Sequence, residues 1–164
     1  MQAFDIALML ATLLCALVAG FLVAFTIVVM PGIKTFSNQQ FLQSFKVMDG
    51  IIQNNQPSFI FIWAGSVLAL LATAGIGIAQ LEGVNLGLII VACAVYLFGV
   101  QVPTMAINVP LNNTLQSLDL NTLSETELEE ARHNFEPRWV RWNTIRTVVA
   151  ILTTVLLIVV LYRY

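Results

Sequence analysis

Four apolar segments, separated by polar stretches, dominate the chain at residues 6–29, 59–79, 84–102 and 148–162. The first three contain no charged residue and match the ~20 residues that a helix needs to cross a bilayer. The fourth is shorter, so a spanning helix there must begin earlier, near residue 143. We predict a single integral membrane domain over residues 1–164, with spans at about 6–29, 59–79, 84–102 and 143–162.

The polar connections carry helix signals of their own. Ser37 and Gln40 form a capping-box pattern, and a stripe of apolar residues at helical spacing follows it. That stripe contains Phe41, Phe45, Met48 and Ile52, with Gln43, Lys46, Asp49 and Gln53 largely on other faces. The pattern predicts an amphipathic helix near 38–54. A second capping box, Ser124 to Glu127, predicts another helix in loop three.

The predicted fold class is therefore all-α: a four-transmembrane-helix bundle with amphipathic or interfacial helices in loops one and three. Two further boundaries follow from local preferences. Asn108 is placed to cap a helix that starts at Val109, and Pro137 is placed to begin the helix that leads into the fourth span.

Composition agrees with a membrane protein, because 59% of residues are hydrophobic and only 10% are charged, against roughly 25% charged in soluble domains. A net charge of −2 gives no reason to expect nucleic acid as a partner. Cys15 and Cys93 lie in apolar segments and form no Cys-x-x-Cys motif. His133 is the only histidine, and Glu130 and Glu136 lie three residues either side of it, a spacing found in some metal sites. A complete site needs further ligands, and Pro137 interrupts the pattern, so a metal site is not predicted.

Two polar motifs interrupt the apolar pattern where loops meet spans. One is Asn-Val-Pro-Leu-Asn-Asn at 108–113, and the other lies at 138–147. At about 100° per residue, one face of the second motif collects Trp139, Trp142, Asn143 and Arg146. Arg138 and Arg141 point to the opposite side, where they can reach lipid headgroups. We therefore predict that the first group faces the bundle interior.

These side chains suggest a site, and each also has a structural explanation. Arg146 with the amides of Asn108, Asn112 and Asn143 can stabilise an enolate or phenolate, so these four are the candidate catalytic residues. Candidate substrate-binding residues are Trp139, Trp142 and Asn113. As alternatives, the tryptophans form an interfacial aromatic belt, the arginine extends to headgroups, and the asparagines serve caps and turns.

Basic residues predict the orientation in the membrane. Loops one and three and the start of the fourth span hold every basic side chain except Arg163. By the positive-inside rule, both large loops lie in the cytoplasm and both termini lie outside.

Taken together, the motifs resemble the anthrone oxygenase-like family of small four-span membrane proteins. The resemblance rests on Val29-Met-Pro31 after the first span, on 108–113 after the third, and on residues leading into the fourth. The last group comprises Phe135, Glu136, Trp139, Trp142, Asn143, Arg146 and Thr147. The resemblance implies, as for some members, oxidation of anthrones to anthraquinones without metal, flavin or other cofactor.

Two functions fit these observations. The first is a cofactor-independent oxygenase acting on an apolar phenolic or anthrone-type substrate, with Glu136, Asp49 or His133 as the available bases. The second is a non-catalytic membrane subunit, or a module that binds lipid or quinone within a larger complex. The partners expected are membrane lipids and either a hydrophobic aromatic, quinone-like ligand or a larger membrane complex.

Overall fold

A computed structural model describes residues 2–164, and these are 88% helical with no strand. The five helices are α1 (Ala3–Ile33), α2 (Asn38–Gln53), α3 (Pro57–Gln80), α4 (Gly83–Gln116) and α5 (Glu125–Arg163). All except α2 are long and apolar enough to cross a membrane. The predicted all-α, four-span fold is confirmed, and α2 lies within one residue of its predicted bounds.

Two predicted helix boundaries are wrong, because α4 and α5 run through them. Asn108 has helical backbone angles inside α4 and makes no capping hydrogen bond. Pro137 lies inside α5, which begins at the Ser124 capping box instead. Pro137 and His133 are both exposed, so water can hydrate the His133 carbonyl that loses its helical partner. The loop-three helices are thus extensions of the third and fourth spans.

Proline explains the three wide π-helical turns in the bundle. The turns are Phe25–Val29, Leu97–Gln101 and Thr104–Asn108, and each ends two residues before a proline. A proline ring lacks the amide proton and crowds the carbonyl four residues earlier, and widening the turn relieves that clash. The turns Phe25–Val29 and Thr104–Asn108 lie in the half of their helix that is nearer α2, and Leu97–Gln101 lies at the middle of α4.

The helices pack around two hydrophobic cores. Within the spans, α1 lies between α3 and α5, α4 packs on α5, and α3 meets α4 mainly at Gly83–Tyr96. This first core includes Phe4, Leu70, Tyr96 and Leu157. A second core joins α2 to the ends of α1, α4 and α5. Beneath α2 there remains a gap that is lined by side chains of α1, α3, α5 and the later part of α4.

Helix α2 is held over that gap by polar and aromatic contacts. The Lys46 Nζ donates to the carbonyls of Gln116 and Leu118 at the end of α4, and Gln116 Nε2 donates back to the Lys46 carbonyl at 2.9 Å. Phe45 packs against Phe135 and Trp139 of α5, with ring centroids 4.6 and 5.0 Å away. These contacts hold α2 across one end of the bundle.

Candidate functional site

A cavity of about 370 Å³ lies where the two cores meet, beneath α2. All five helices contribute to its lining. Ligand pockets usually measure about 300 to 1,000 Å³, so the space suits a small organic molecule. Exposed lining residues mark its open side, where Met105 is 66% exposed and Gln53 and Asn113 are also accessible.

Aromatic side chains form most of the apolar wall: Phe21, Phe25, Phe45, Phe59, Trp63 and Trp139. The Trp139 ring lies 5.6 Å from Phe25 and 5.0 Å from Phe45, and Phe59 stacks on Trp63 at 5.3 Å. Such ring pairs hold one another in place. The cavity therefore presents flat apolar faces that suit a planar aromatic ligand.

Arg146 brings a buried positive charge into the lining, with only 4% of its surface exposed. Its Nη1 donates to Thr104 Oγ1 at 2.8 Å and its Nη2 to Asn143 Oδ1 at 3.0 Å. Its Nε has no partner. Within residues 2–164 the one ion pair is Arg132–Glu136, so no carboxylate neutralises Arg146. A buried unpaired charge is costly to maintain, and an anionic oxygen in the cavity would offset that cost.

Asn143 positions Arg146 by using the first wide turn. Its Nδ2 donates to the Leu22 carbonyl at 3.2 Å and to Thr26 Oγ1 at 2.8 Å, which leaves Oδ1 to receive Arg146. The Phe25–Val29 turn lies just beyond Leu22, on the helix face that Asn143 contacts. The wide turn thus belongs to the structure that holds the guanidinium, in keeping with the frequent occurrence of such turns at functional sites.

Asn108 carries an unpaired acceptor and belongs to the lining of the same cavity. It is 2% exposed, and its Nδ2 makes a long hydrogen bond of 3.4 Å to the Trp139 carbonyl. Its Oδ1 has no partner although it is buried. Unpaired buried polar atoms are rare, and here Asn108 Oδ1 and Arg146 Nε both belong to residues that line one cavity.

A second polar network joins α2 to the cavity-lining residues of α4 and α5. Asn112 Nδ2 donates to Asp49 Oδ1 at 2.7 Å, while Asn112 Oδ1 accepts from Trp139 Nε1 at 2.9 Å. Gln53 and Gln116 donate to Asp49 Oδ2 at 2.7 and 2.9 Å. Asp49 is 5% exposed, so the prediction that it lies off the buried face of α2 is wrong.

The structure brings most of the sequence-predicted residues to this cavity. Asn108, Asn112, Asn113, Trp139, Asn143 and Arg146 all line it. Trp142 is half-buried and lies outside the lining. Arg138 and Arg141 are exposed, as the helical wheel predicts. Asn113 sits at the open side, where its Oδ1 accepts from Gln53 at 3.3 Å.

Of the three candidate bases, only Asp49 reaches the cavity. His133 is exposed, and Glu136 pairs with Arg132 at 2.7 Å. In the described part of the chain, no three His, Cys, Asp or Glu side chains are grouped so that they could hold a metal ion.

Sequence reasoning missed several polar residues of the site, namely Thr104, Gln53, Gln116 and Gln101. Thr104 anchors Arg146, and Gln101 Oε1 accepts from Trp63 Nε1 at 2.9 Å. Gln101 carried a usable signal, because it is a polar residue at the end of an uncharged apolar segment. Thr104 carried none, since threonine commonly bonds its own helix, as it does here with Val100.

The family model for anthrone oxygenase matches residues 45–156, more than half of the chain. The chain belongs to this family. The match begins in α2 and ends within α5, so it contains Asp49, the 108–113 motif and Arg146. No curated protein matches the chain, and no solved structure does. All the polar side chains that the structure places in the cavity lining belong to the matched residues, 45–156.

Proposed function

We propose that this membrane protein is a cofactor-independent oxygenase that converts an apolar, phenolic, anthrone-type ketone to the corresponding quinone. The observation that carries the proposal is the unneutralised Arg146 guanidinium, with its free Nε, in a cavity walled by aromatic rings. Membership of the anthrone oxygenase family supports the same substrate class.

The reaction places clear demands on the site. A ring CH2 group and O2 become a carbonyl group and water, so the carbon loses four electrons and O2 gains them. The first step removes one CH2 proton and creates an enolate, whose negative charge resides largely on the ketone oxygen. That electron-rich anion reacts with O2 to form a peroxide, and loss of water leaves the quinone carbonyl.

Cavity side chains have matching roles in this proposal. Arg146 donates a hydrogen bond to the developing enolate oxygen, and such a preorganised donor lowers the barrier because it does not reorganise during the reaction. Asn143 and Asn112 hold Arg146 and Trp139 in position. Asn108 Oδ1 accepts a phenolic hydroxyl beside the ketone. Trp139 and its neighbouring rings pack on the faces of the substrate.

Anthrone turnover by purified protein in detergent tests this function. We expect anthraquinone to form well above the spontaneous rate, with one O2 consumed per quinone and no loss of rate after treatment with a chelator. Anthraquinone should also quench tryptophan fluorescence, since Trp63 and Trp139 line the cavity. Quenching without turnover would instead support the quinone-binding module, and copurification with a larger assembly would support the subunit.

We also propose that α2 and the cavity face the cytoplasm, with lipids covering the exposed apolar faces of the spans. This side of the bundle carries three exposed basic side chains, Lys34, Arg138 and Arg141, whereas the other end carries only Arg163 among the described residues. By the positive-inside rule, that difference supports a cytoplasmic position for α2. In intact cells, tags at both termini should be accessible from outside. Protected termini would contradict this orientation.

A further inference from the structure

Asp49 is the one carboxylate in the cavity lining, and it has no positive partner in the part of the chain that the structure describes. It is almost fully buried, and its neighbours are uncharged amides. A buried carboxylate normally has a cation, a metal or several donors to offset the loss of water. Here three amide donors provide that support.

Those donors do not occupy every acceptor position of the Asp49 carboxylate. A carboxylate has about four acceptor positions on its two oxygens. Gln53 and Gln116 both donate to Oδ2, while Asn112 alone donates to Oδ1. One acceptor position on Oδ1 is therefore free, on the oxygen that Asn112 holds. The amides fix the orientation of the group and still leave it able to accept a proton.

Asp49 and Arg146 reach the cavity from different helices and form no ion pair. Asp49 belongs to α2, across the end of the bundle, whereas Arg146 belongs to α5 and bonds Thr104 and Asn143. Among the described residues, the cavity lining thus holds one negative and one positive group that do not pair with each other.

The proposed substrate requires two such groups that do not pair with each other. In an anthrone the ketone and the reactive CH2 lie at opposite positions of the central ring. If Arg146 binds the ketone oxygen, the CH2 points away from the guanidinium, and a base must approach from the other side. We infer that Asp49 is the general base that removes this proton, an assignment that rests on the oxygenase function proposed above.

The proton balance closes within the site. The C–H bond breaks, its electron pair enters the ring system as the enolate, and Asp49 Oδ1 takes the proton. Addition of O2 to the carbanion carbon gives a peroxide anion, which takes the proton back from Asp49. The hydroperoxide then loses water: its remaining C–H bond and its O–O bond break, the C–H electron pair forms the quinone carbonyl, and the proton leaves with the terminal hydroxide as water. Asp49 is left ionised for the next cycle.

Exchange of the CH2 protons of anthrone with D2O, followed without oxygen, measures the base step alone. We expect wild-type protein to accelerate this exchange, and Asp49→Asn to lower the acceleration about a hundredfold, within the usual range for a general base. Asp49→Glu keeps a carboxylate and should retain part of the rate. Asp119→Asn, an exposed loop residue outside the cavity, is the matched control and should exchange like wild type.

A structural role for Asp49 predicts different results. Anthraquinone binding and the unfolding temperature of each variant show whether the cavity survives. A folded, ligand-binding Asp49→Asn protein that exchanges at the wild-type rate would overturn the inference. So would a wild-type protein that does not accelerate exchange. If Asp49→Asn does not fold, a folded Asp49→Glu protein without exchange activity would overturn it instead.

The same assays separate this inference from the proposed function. If wild-type protein catalyses exchange but never forms quinone, the assignment of Asp49 as a base remains supported and the oxygenase function is refuted. Wild-type protein that forms quinone at a rate unchanged in folded Asp49→Asn would retain the oxygenase and refute the base. Raised pH should restore quinone formation in Asp49→Asn, because hydroxide then ionises the anthrone, and absence of that rescue would also count against the base.

Discussion

Replacing Arg146 with methionine should lower the rate of anthrone oxidation about a thousandfold while the protein remains folded. Removing one preorganised donor to an oxyanion typically costs 10²- to 10³-fold. Among the described residues, Arg146 also supplies the only positive charge in the cavity lining. We place the effect at the upper end for that reason. Quinone formation in detergent, at saturating anthrone, measures it.

Stability should change little, because the guanidinium is an unpaired buried charge. Its removal leaves Thr104 bonded to the Val100 carbonyl and leaves Asn143 Oδ1 without a donor. An unsatisfied acceptor costs roughly 1–3 kcal/mol, and relief from burying a lone charge offsets it. The unfolding temperature should therefore stay within a few degrees of wild type.

Two variants make the test specific. Arg146→Lys keeps the charge but loses the Nε–H and the planar fork, so it should recover only part of the rate. Arg141→Met removes an exposed arginine from the same helix and should leave the rate unchanged. A folded Arg146→Met protein with wild-type turnover would refute the role of the guanidinium.

Much of the fold could be predicted from the chain. Uncharged apolar segments set the four spans, and the Ser37 and Ser124 capping boxes marked the starts of α2 and α5. The continuation of α4 through Pro103 and Pro110 could not be predicted, because a proline in an apolar segment can either end a helix or widen it. Tertiary packing around Thr104 and Asn108 decides between these outcomes, and local preferences do not contain that information.

The candidate site was also predictable only in part, because local sequence signals identify some of its residues and tertiary packing decides the rest. Asn143 and Arg146 stood out because a polar residue at the start of a short span needs a protein partner. Trp142 lies about 60° from Trp139 on the helix at ~100° per residue, at the edge of the inward stripe, and ends half-buried. Asp49 follows Phe45 by four residues and precedes Ile52 by three, so its spacing was compatible with the buried face. Only the contact with α4 shows which face is buried there.

Asn143→Leu should destabilise the protein by about 3 kcal/mol, because leaving a buried polar group without its hydrogen-bond partner costs roughly 1–3 kcal/mol, and more where that group is charged. Leucine preserves the approximate size of the side chain but removes both donors to α1 and the acceptor for Arg146. Oxidation should fall with it, because the guanidinium loses its orientation. Denaturant or thermal unfolding in detergent measures the loss, and Asn134→Leu, an exposed position on the same helix, is the control.

Combining Asn143→Leu with Arg146→Met identifies the cause of that loss. If the cost arises from the stranded guanidinium, the double variant should be more stable than Asn143→Leu alone, since the charge that lost its partner is gone. Residues in direct contact commonly show interaction energies of about 0.5–3 kcal/mol, and this pair is joined at 3.0 Å. A double variant with the summed loss of the two single variants would assign the cost to the α1 contacts instead. In that case Asn143 would hold the helices together, and Arg146 would be oriented chiefly by Thr104 and by the Trp139 ring, whose centroid lies 6.0 Å from its guanidinium carbon.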